Sequence, residues 1–266
     1  MAEIIKKEDK EIFINTLNKK GFLLEDRTWV VLNSIEGWST MKRNKVIQYP
    51  YQDDRVEIDF IFIHENRHFL VECKRTDYSW FFPRALERSN TITLILDSPE
   101  GIKTNTRYVT KLKTAWYDVA VEFDEDGKLR RPNRNSDTAQ LSFKDVHKAF
   151  RQSLKETEAY ISTNEYLSIR VVPFNNIIIP IVVTNAKLFF LNYSKVDIDK
   201  NGDLINYGDI EEVGYIAYNF PQVLRWGGMG NQIVYHTSGS QDHVKTIFFV
   251  NINYLAEFIK NKLYNG

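Results

Sequence analysis

Four charged residues stand inside what otherwise reads as two apolar strands, VEIDFIFIH from Val56 and HFLVECKR from His68: they are Glu57, Asp59, Glu72 and Lys74. Side chains alternate between the faces of a strand. Arg55, Glu57 and Asp59 are therefore expected on one face of the first strand, with Val56, Ile58, Phe60 and Phe62 on the other. On the second strand Leu70, Glu72 and Lys74 share a face, and Val71 and Cys73 take the opposite one. A turn at His64-Glu65-Asn66-Arg67 sets Ile63 against His68, which puts Asp59 opposite Glu72 and Glu57 opposite Lys74.

Opposed residues have Cβ atoms roughly 4.5–5.5 Å apart. Two ionised carboxylates at that spacing repel each other unless one is protonated or a divalent cation lies between them. Oxygen donors of this kind suit Mg²⁺ or Mn²⁺. Lys74, two residues beyond Glu72, would point to the same side, where an ammonium can orient a water or stabilise charge growing on a phosphate. Those are the parts that phosphodiester hydrolysis needs. Glu57 would hold Lys74 in place or act as an outer ligand. Alternating charge is also ordinary on the solvated face of an antiparallel sheet, and a Glu57–Lys74 pair there would contribute little. Spacing alone favours that solvated-face reading; the like charges of Asp59 and Glu72 shift the balance towards the chemical one.

The surrounding elements must position these groups. Residues 8–20 read as a helix with Ile12, Phe13, Ile14 and Leu17 on its apolar side, ending at Gly21 as a C-terminal cap. Trp29–Ile35 and Ser39–Tyr49 carry the β-branched and aromatic residues of strands. Residues 144–163 read as a helix with Val146, Phe150, Leu154 and Ile161 near one stripe. IIIPIVV, 177–183, suits a buried central strand, followed by a turn at Thr184-Asn185 and a second strand. A strand over Thr246–Asn251 and a helix over Tyr254–Tyr264 follow towards the C-terminus. This order predicts a single domain over 1–266 of mixed α and β class (α+β), with a mixed central sheet flanked by helices. Residues 76–143, rich in aromatic and scattered basic residues, read as a long insertion, with Asp126-Gly127 as a hairpin turn. Its surface would be either a nucleic-acid contact or a plain solvated face; the mixed charge, including Glu122-Phe-Asp-Glu-Asp126, makes the two equal contenders.

Lys plus Arg and Asp plus Glu number 35 each, so the formal net charge is zero. Only the charge of a contacting face matters to a polyanion, so neutrality leaves a nucleic-acid partner open. The lone Cys73 permits no internal disulfide and no paired-cysteine zinc site. With no signal-peptide core near the start and no apolar run of membrane-spanning length, a soluble, cytoplasmic protein without membrane contact is expected.

At Arg55-x-Glu57-x-Asp59 and Glu72-Cys73-Lys74 the chain resembles the PD-(D/E)XK nuclease superfamily, the restriction-endonuclease-like fold. More narrowly, it is similar to a group of bacterial nucleases predicted within it, whose E-C-K strand is soon followed by Trp and other aromatics, here Trp80-Phe81-Phe82, and whose later strand ends in V-T-N-A, here Val183–Ala186. Ile58 stands where the superfamily's naming motif has proline. The resemblance covers about residues 8–75 and 145–195. It implies a core of helix, three antiparallel strands, helix and strand. It implies Asp59 and Glu72 as metal ligands for Mg²⁺ or Mn²⁺, the Cys73 backbone carbonyl as a further ligand with the thiol in the core, and Lys74 as the catalytic lysine. A glutamate from the first helix, Glu8 or Glu11, and Gln152 on the second core helix are accessory candidates, although a first-turn acid and a solvent-facing glutamine explain them as well.

The expected function is metal-dependent cleavage of nucleic acid, DNA in preference to RNA, in restriction, anti-phage defence or repair, with a homodimer as one arrangement for cutting both strands. The alternative is a catalytically inactive nucleic-acid-binding or interaction module on the same fold. Three further motifs carry less. Asp197-x-Asp199-x-Asn201-Gly202-Asp203 starts like a calcium loop, but Gly208 stands where the bidentate Glu belongs. WGGMGNQ, 226–232, lacks a P-loop ending. His64 and His68 flank the hairpin turn and read as surface residues.

Overall fold

The computed structural model describes residues 7–18, 21–48, 55–84, 91–98, 101–108, 112–116, 120–130, 145–161, 176–201, 203–206, 210–221 and 244–260. Two helices come first, α1 (Lys7–Asn18) and α2 (Phe22–Asn33), then strands β1 (Thr40–Gln48), β2 (Arg55–His64) and β3 (Arg67–Lys74). The stretch expected as an insertion contributes β4 (Ser79–Pro83), β5 (Thr91–Ser98), β6 (Gly101–Tyr108), β7 (Thr114–Trp116) and β8 (Val121–Phe123). Helix α3 (Asp145–Ile161), β9 (Asn176–Thr184), β10 (Leu188–Leu191), β11 (Ile210–Val213), β12 (Tyr215–Pro221), β13 (Val244–Asn251) and the single turn α4 (Leu255–Phe258) complete the order.

Strands β1-β2-β3-β9-β13-β12-β7 run side by side in one mixed sheet, with the β5–β6 hairpin joined to β9; a second sheet has the order β11-β10-β4-β8. The chain is thus mixed α and β, with helices on a mixed sheet. β9 is its buried spine. It runs parallel to β3 along 177–184, and its other edge is shared: β5 pairs at 176–178 and β13 at 181–184. Pro180, which has no N–H to give, falls in the gap between those two partners. Thr76 and Asn185, just past β3 and β9, clamp each other: the Thr76 N–H donates to Asn185 Oδ1 at 2.9 Å, and Asn185 Nδ2 donates to the Thr76 carbonyl at 2.8 Å. From that clamp β4 and β10 leave as a second parallel pair into the smaller sheet.

One face of the large sheet packs on α2 and α4 through Leu24, Leu32, Phe60, Phe62, Val71, Ile181, Val250 and Phe258. The other packs on α3 and the inner face of the small sheet through Trp80, Phe82, Phe150, Leu188 and Phe249, and through Ile58, Ile61, Leu70 and Tyr160.

Several expectations need correction. Trp29–Ile35 is not a strand; residues 22–33 are helix. Val30 and Val31 suggested β structure, but Leu24, Thr28 and Leu32 form a buried stripe at helical spacing, and packing overrides local propensity. Gly21 does not cap α1 in the left-handed region; at φ −64° it is the N-cap of α2. Ile12, Phe13 and Ile14 of α1 are exposed, not packed. His68 is fully buried, its Nδ1 at 2.9 Å from the Tyr160 hydroxyl. Glu122 is also fully buried, and so is no part of a solvated face.

The Asp126-Gly127 turn forms, with Gly127 at φ 73° and its N–H donating to the Asp124 carbonyl at 3.0 Å. The calcium-like segment is a turn in which Asp199 Oδ1 accepts from the Asn201 and Asp203 N–H groups at 2.8 and 2.9 Å. WGGMGNQ lies outside the described residues. Among the described residues, no helix is long and apolar enough to cross a membrane.

Candidate active site

The hairpin forms in the expected register: Ile63 faces His68 and Phe60 faces Val71. The ladder stops there. At the next step the Cys73 N–H donates to Asp59 Oδ2 at 2.7 Å, so a side chain takes the place of a strand neighbour's carbonyl. On the other side of β2 the β1 ladder skips the same level: Arg43 pairs Phe60 and Lys45 pairs Ile58, while Asn44 between them has φ 50°.

The simple alternation expected for β2 fails at this point. Phe60 and Phe62 enter the core around α2, whereas Val56 and Ile58 enter the core under α3 together with Ile61 and Ile63. The facing strand changes sides too, since Met41 packs against the α2 core and Ile47 belongs to the α3 one. Both strands swap faces across Asn44 and Asp59, so Asp59 sits at a kink. Distortions of this kind re-aim side chains at sheet rims and sites.

The kink directs Asp59 towards two more carboxylates. Glu72, on β3, is 2 % exposed, and Glu156, on α3, is 1 % exposed. Burial pushes the Asp59 carboxyl up to about 6, against the opposing Cys73 N–H bond, with Glu25 and Glu57 adding repulsion. Burial also pushes Glu72 far up; Glu156 and then Asp59 add repulsion, and Lys74 opposes it. Glu156 is raised mainly by burial, its contact with Glu72 opposing. All these oxygens are acceptors when ionised, so a contact between two of them holds only with a proton or a cation in between. Among the described residues no donor reaches Glu72 Oε2 or either Glu156 oxygen in good hydrogen-bond geometry. The exposed Gln152, one turn earlier on α3, favours the charged form of Glu156 through its side-chain amide.

Lys74 is half-buried at the end of β3, level with Thr184 of β9, and acts on Glu72 through its charge. Glu57 is exposed and lies across from Val46 of β1; no Glu57–Lys74 ion pair forms among the described residues. The Cys73 thiol enters the core, with Sγ 3.5 Å from Thr28 Oγ1 of α2. Glu11 is exposed on α1, and the Glu8 side chain lies outside the described residues. The helix packed beside the site is α2, and its half-buried Glu25 supplies the carboxylate that acts on Asp59.

The sequence reading missed Glu25 and Glu156. Both had a signal. Glu156 falls on the buried stripe of α3 with Ala149, Ser153 and Tyr160, a place where helical periodicity asks for an apolar residue. Glu25 follows Leu24 in a segment whose strand-like composition concealed a helix.

No three His, Cys, Asp or Glu side chains among the described residues converge into a ready-made ion site. The donor chemistry nonetheless fits a hard cation. Buried carboxylate oxygens without donors, held together at raised pKa, are what a divalent ion would neutralise. Comparison of the chain with family models, with curated proteins and with solved structures finds no match. The site therefore stands on its geometry.

Proposed function

We propose that this protein is a metal-dependent nuclease that hydrolyses phosphodiester bonds, with DNA as its substrate. The observation that carries this reading is the buried pair Glu72 and Glu156 with the partly buried Asp59 acting on both, beside Lys74. Burying three carboxylates is expensive unless something compensates. With β4–β8 set aside as the insertion between β3 and α3, and with α2 in place of the expected helix at 8–20, the order helix, three antiparallel strands, helix and strand is compatible with this reading.

Asp59, Glu72 and Glu156, with the Cys73 carbonyl, would hold Mg²⁺ or Mn²⁺, which when bound would draw charge from a phosphate oxygen and acidify a water. The chain's own groups do the remaining work. Lys74 places a cation where negative charge grows on the phosphate as the P–O bond to the leaving oxygen breaks. Asp59, fixed by the Cys73 N–H, keeps its second oxygen for a ligand or for a proton from the attacking water. Trp29 and Phe60, with ring centroids 5.9 Å apart, form an apolar contact on the α2 side of the strand that carries Asp59.

The test is cleavage of supercoiled plasmid and of single-stranded DNA with Mg²⁺ or Mn²⁺. Wild-type protein is expected to cut, and Lys74→Ala to cut roughly 10²–10³-fold more slowly, the usual loss when one electrostatic stabiliser is removed. Thermal denaturation of both proteins separates this from misfolding. Equal background cleavage by wild type and Lys74→Ala would overturn the reading, and cleavage of RNA alone would move the substrate class.

A further inference from the structure

The approach of Glu156 to Glu72 depends on where α3 sits along β3, and a partly buried charge network outside the site joins the two elements. Glu122 of β8 is fully buried, and its Oε1 accepts from the Val146 N–H at 2.7 Å, at the start of α3. Arg130 donates to Glu122 Oε2 at 2.9 Å and pairs with Asp145 Oδ2 at 2.8 Å. Its guanidinium lies 4.3 Å from the centroid of the Tyr78 ring. Asp145 Oδ2 also accepts from Thr76 Oγ1 at 3.1 Å, and the Thr76 backbone is clamped to Asn185.

One guanidinium therefore joins three segments. These are the chain just past Lys74, the first turn of the helix that carries Glu156, and, through Thr76, the end of β9. A helix start needs its first N–H groups satisfied and favours negative charge, and Asp145 and Glu122 provide for that locally. Capping alone does not require an arginine shared by both carboxylates and stacked on a residue of the β3–β4 segment.

We propose that Arg130, held by Glu122, is a positioning residue that locks the start of α3 to the segment following Lys74 and so sets the approach of Glu156 to Glu72. This rests on the reading of those two carboxylates given above. It also assigns a purpose to the stretch between β3 and α3: its β8 hairpin is the latch of the site.

Removing Arg130 alone would leave Glu122 buried and unpaired, which destabilises a fold by itself. The informative protein is the double variant Arg130→Met with Glu122→Gln. It removes both charges while the Gln oxygen still accepts from Val146. Spin labels on Glu65→Cys, in the β2–β3 turn, and Lys155→Cys, on α3, report the height of the helix with no metal present. The double variant is expected to unfold near the wild-type temperature, yet to show a label distance shifted or broadened by about 1–2 Å, the scale of helix shifts between packed states. It is also expected to need roughly 10-fold more Mn²⁺ for half-maximal thermal stabilisation.

Arg130→Lys keeps the charge but not the planar guanidinium that lies over the Tyr78 ring, and is expected to shift the distance in the same direction. It serves if the double variant does not fold. An unchanged distance in a folded variant would overturn the latch. Wild-type protein that neither responds to Mn²⁺ nor cuts nucleic acid would overturn the nuclease reading instead, and the label distance would still decide the latch.

Discussion

Asp59 shows how one residue's surroundings set its chemistry. Its folded pKa of about 6 lies above the ordinary value of 3.8 because burial penalises the charge more than the Cys73 N–H bond favours it. A carboxyl with a raised folded pKa keeps its proton in the native state after the unfolded chain has lost it, so native stability falls as pH rises from about 4 through about 6. In chelated protein this loss is expected to be on the order of 2–3 kcal/mol for Asp59, at 1.36 kcal/mol per unit. Denaturant melts from pH 4 to 7 check it. Asp59→Asn, which keeps an oxygen for the Cys73 N–H, should flatten that part of the profile; a slope as steep as wild type would contradict the assignment.

The elements explain why Asp59 is aimed as it is. β1 and β2 change faces together across Asn44 and Asp59, and Asn44 adopts φ 50° to allow it. Asn tolerates the left-handed region at small cost, Gly at less, and a β-branched residue poorly. Asn44→Gly is therefore expected to melt within a few degrees of wild type. Asn44→Val should lose on the order of 1–3 kcal/mol, and in losing the kink should lose cleavage as well. Circular dichroism melts and a plasmid assay on the same samples distinguish these outcomes. If Asn44→Val cuts normally, the kink does not aim Asp59. The face swap was not legible in the sequence, because the continuous apolar run Phe60–Ile63 after Val56-Glu-Ile-Asp59 does not say which face each residue takes. Only the register of a third strand reveals it.

For the whole molecule, a buried acidic cluster makes stability depend on what occupies it. A ligand that binds only the native state stabilises by about 2.7 kcal/mol at a hundred-fold excess over its Kd, which corresponds to a Tm rise of roughly 5–10 °C in a chain of this size. Mn²⁺ at millimolar concentration is expected to raise the wild-type Tm on that scale. Glu156→Gln should respond far less, while melting at or above the chelated wild type at pH 8, because it no longer buries a third carboxylate. An equal Mn²⁺ response in the two proteins would remove Glu156 from the ligand set.

The hairpin register, the buried strand at 177–183 and the helix over 145–161 were legible in the sequence, because periodicity and turn chemistry are local. The accessory residues were not. Glu11 and Gln152 were named by position in the chain; the structure leaves Glu11 exposed on α1 and sets Gln152 beside Glu156, while Glu25 and Glu156 supply the carboxylates that act on the acidic pair. A carboxylate's neighbours are chosen by helix packing, and a helix shows its buried face only once a sheet lies against it. The sequence determined which strands carry the charged chemistry. Tertiary structure alone decided which helices complete it, because desolvation and charge repulsion depend on distances between segments far apart in the chain.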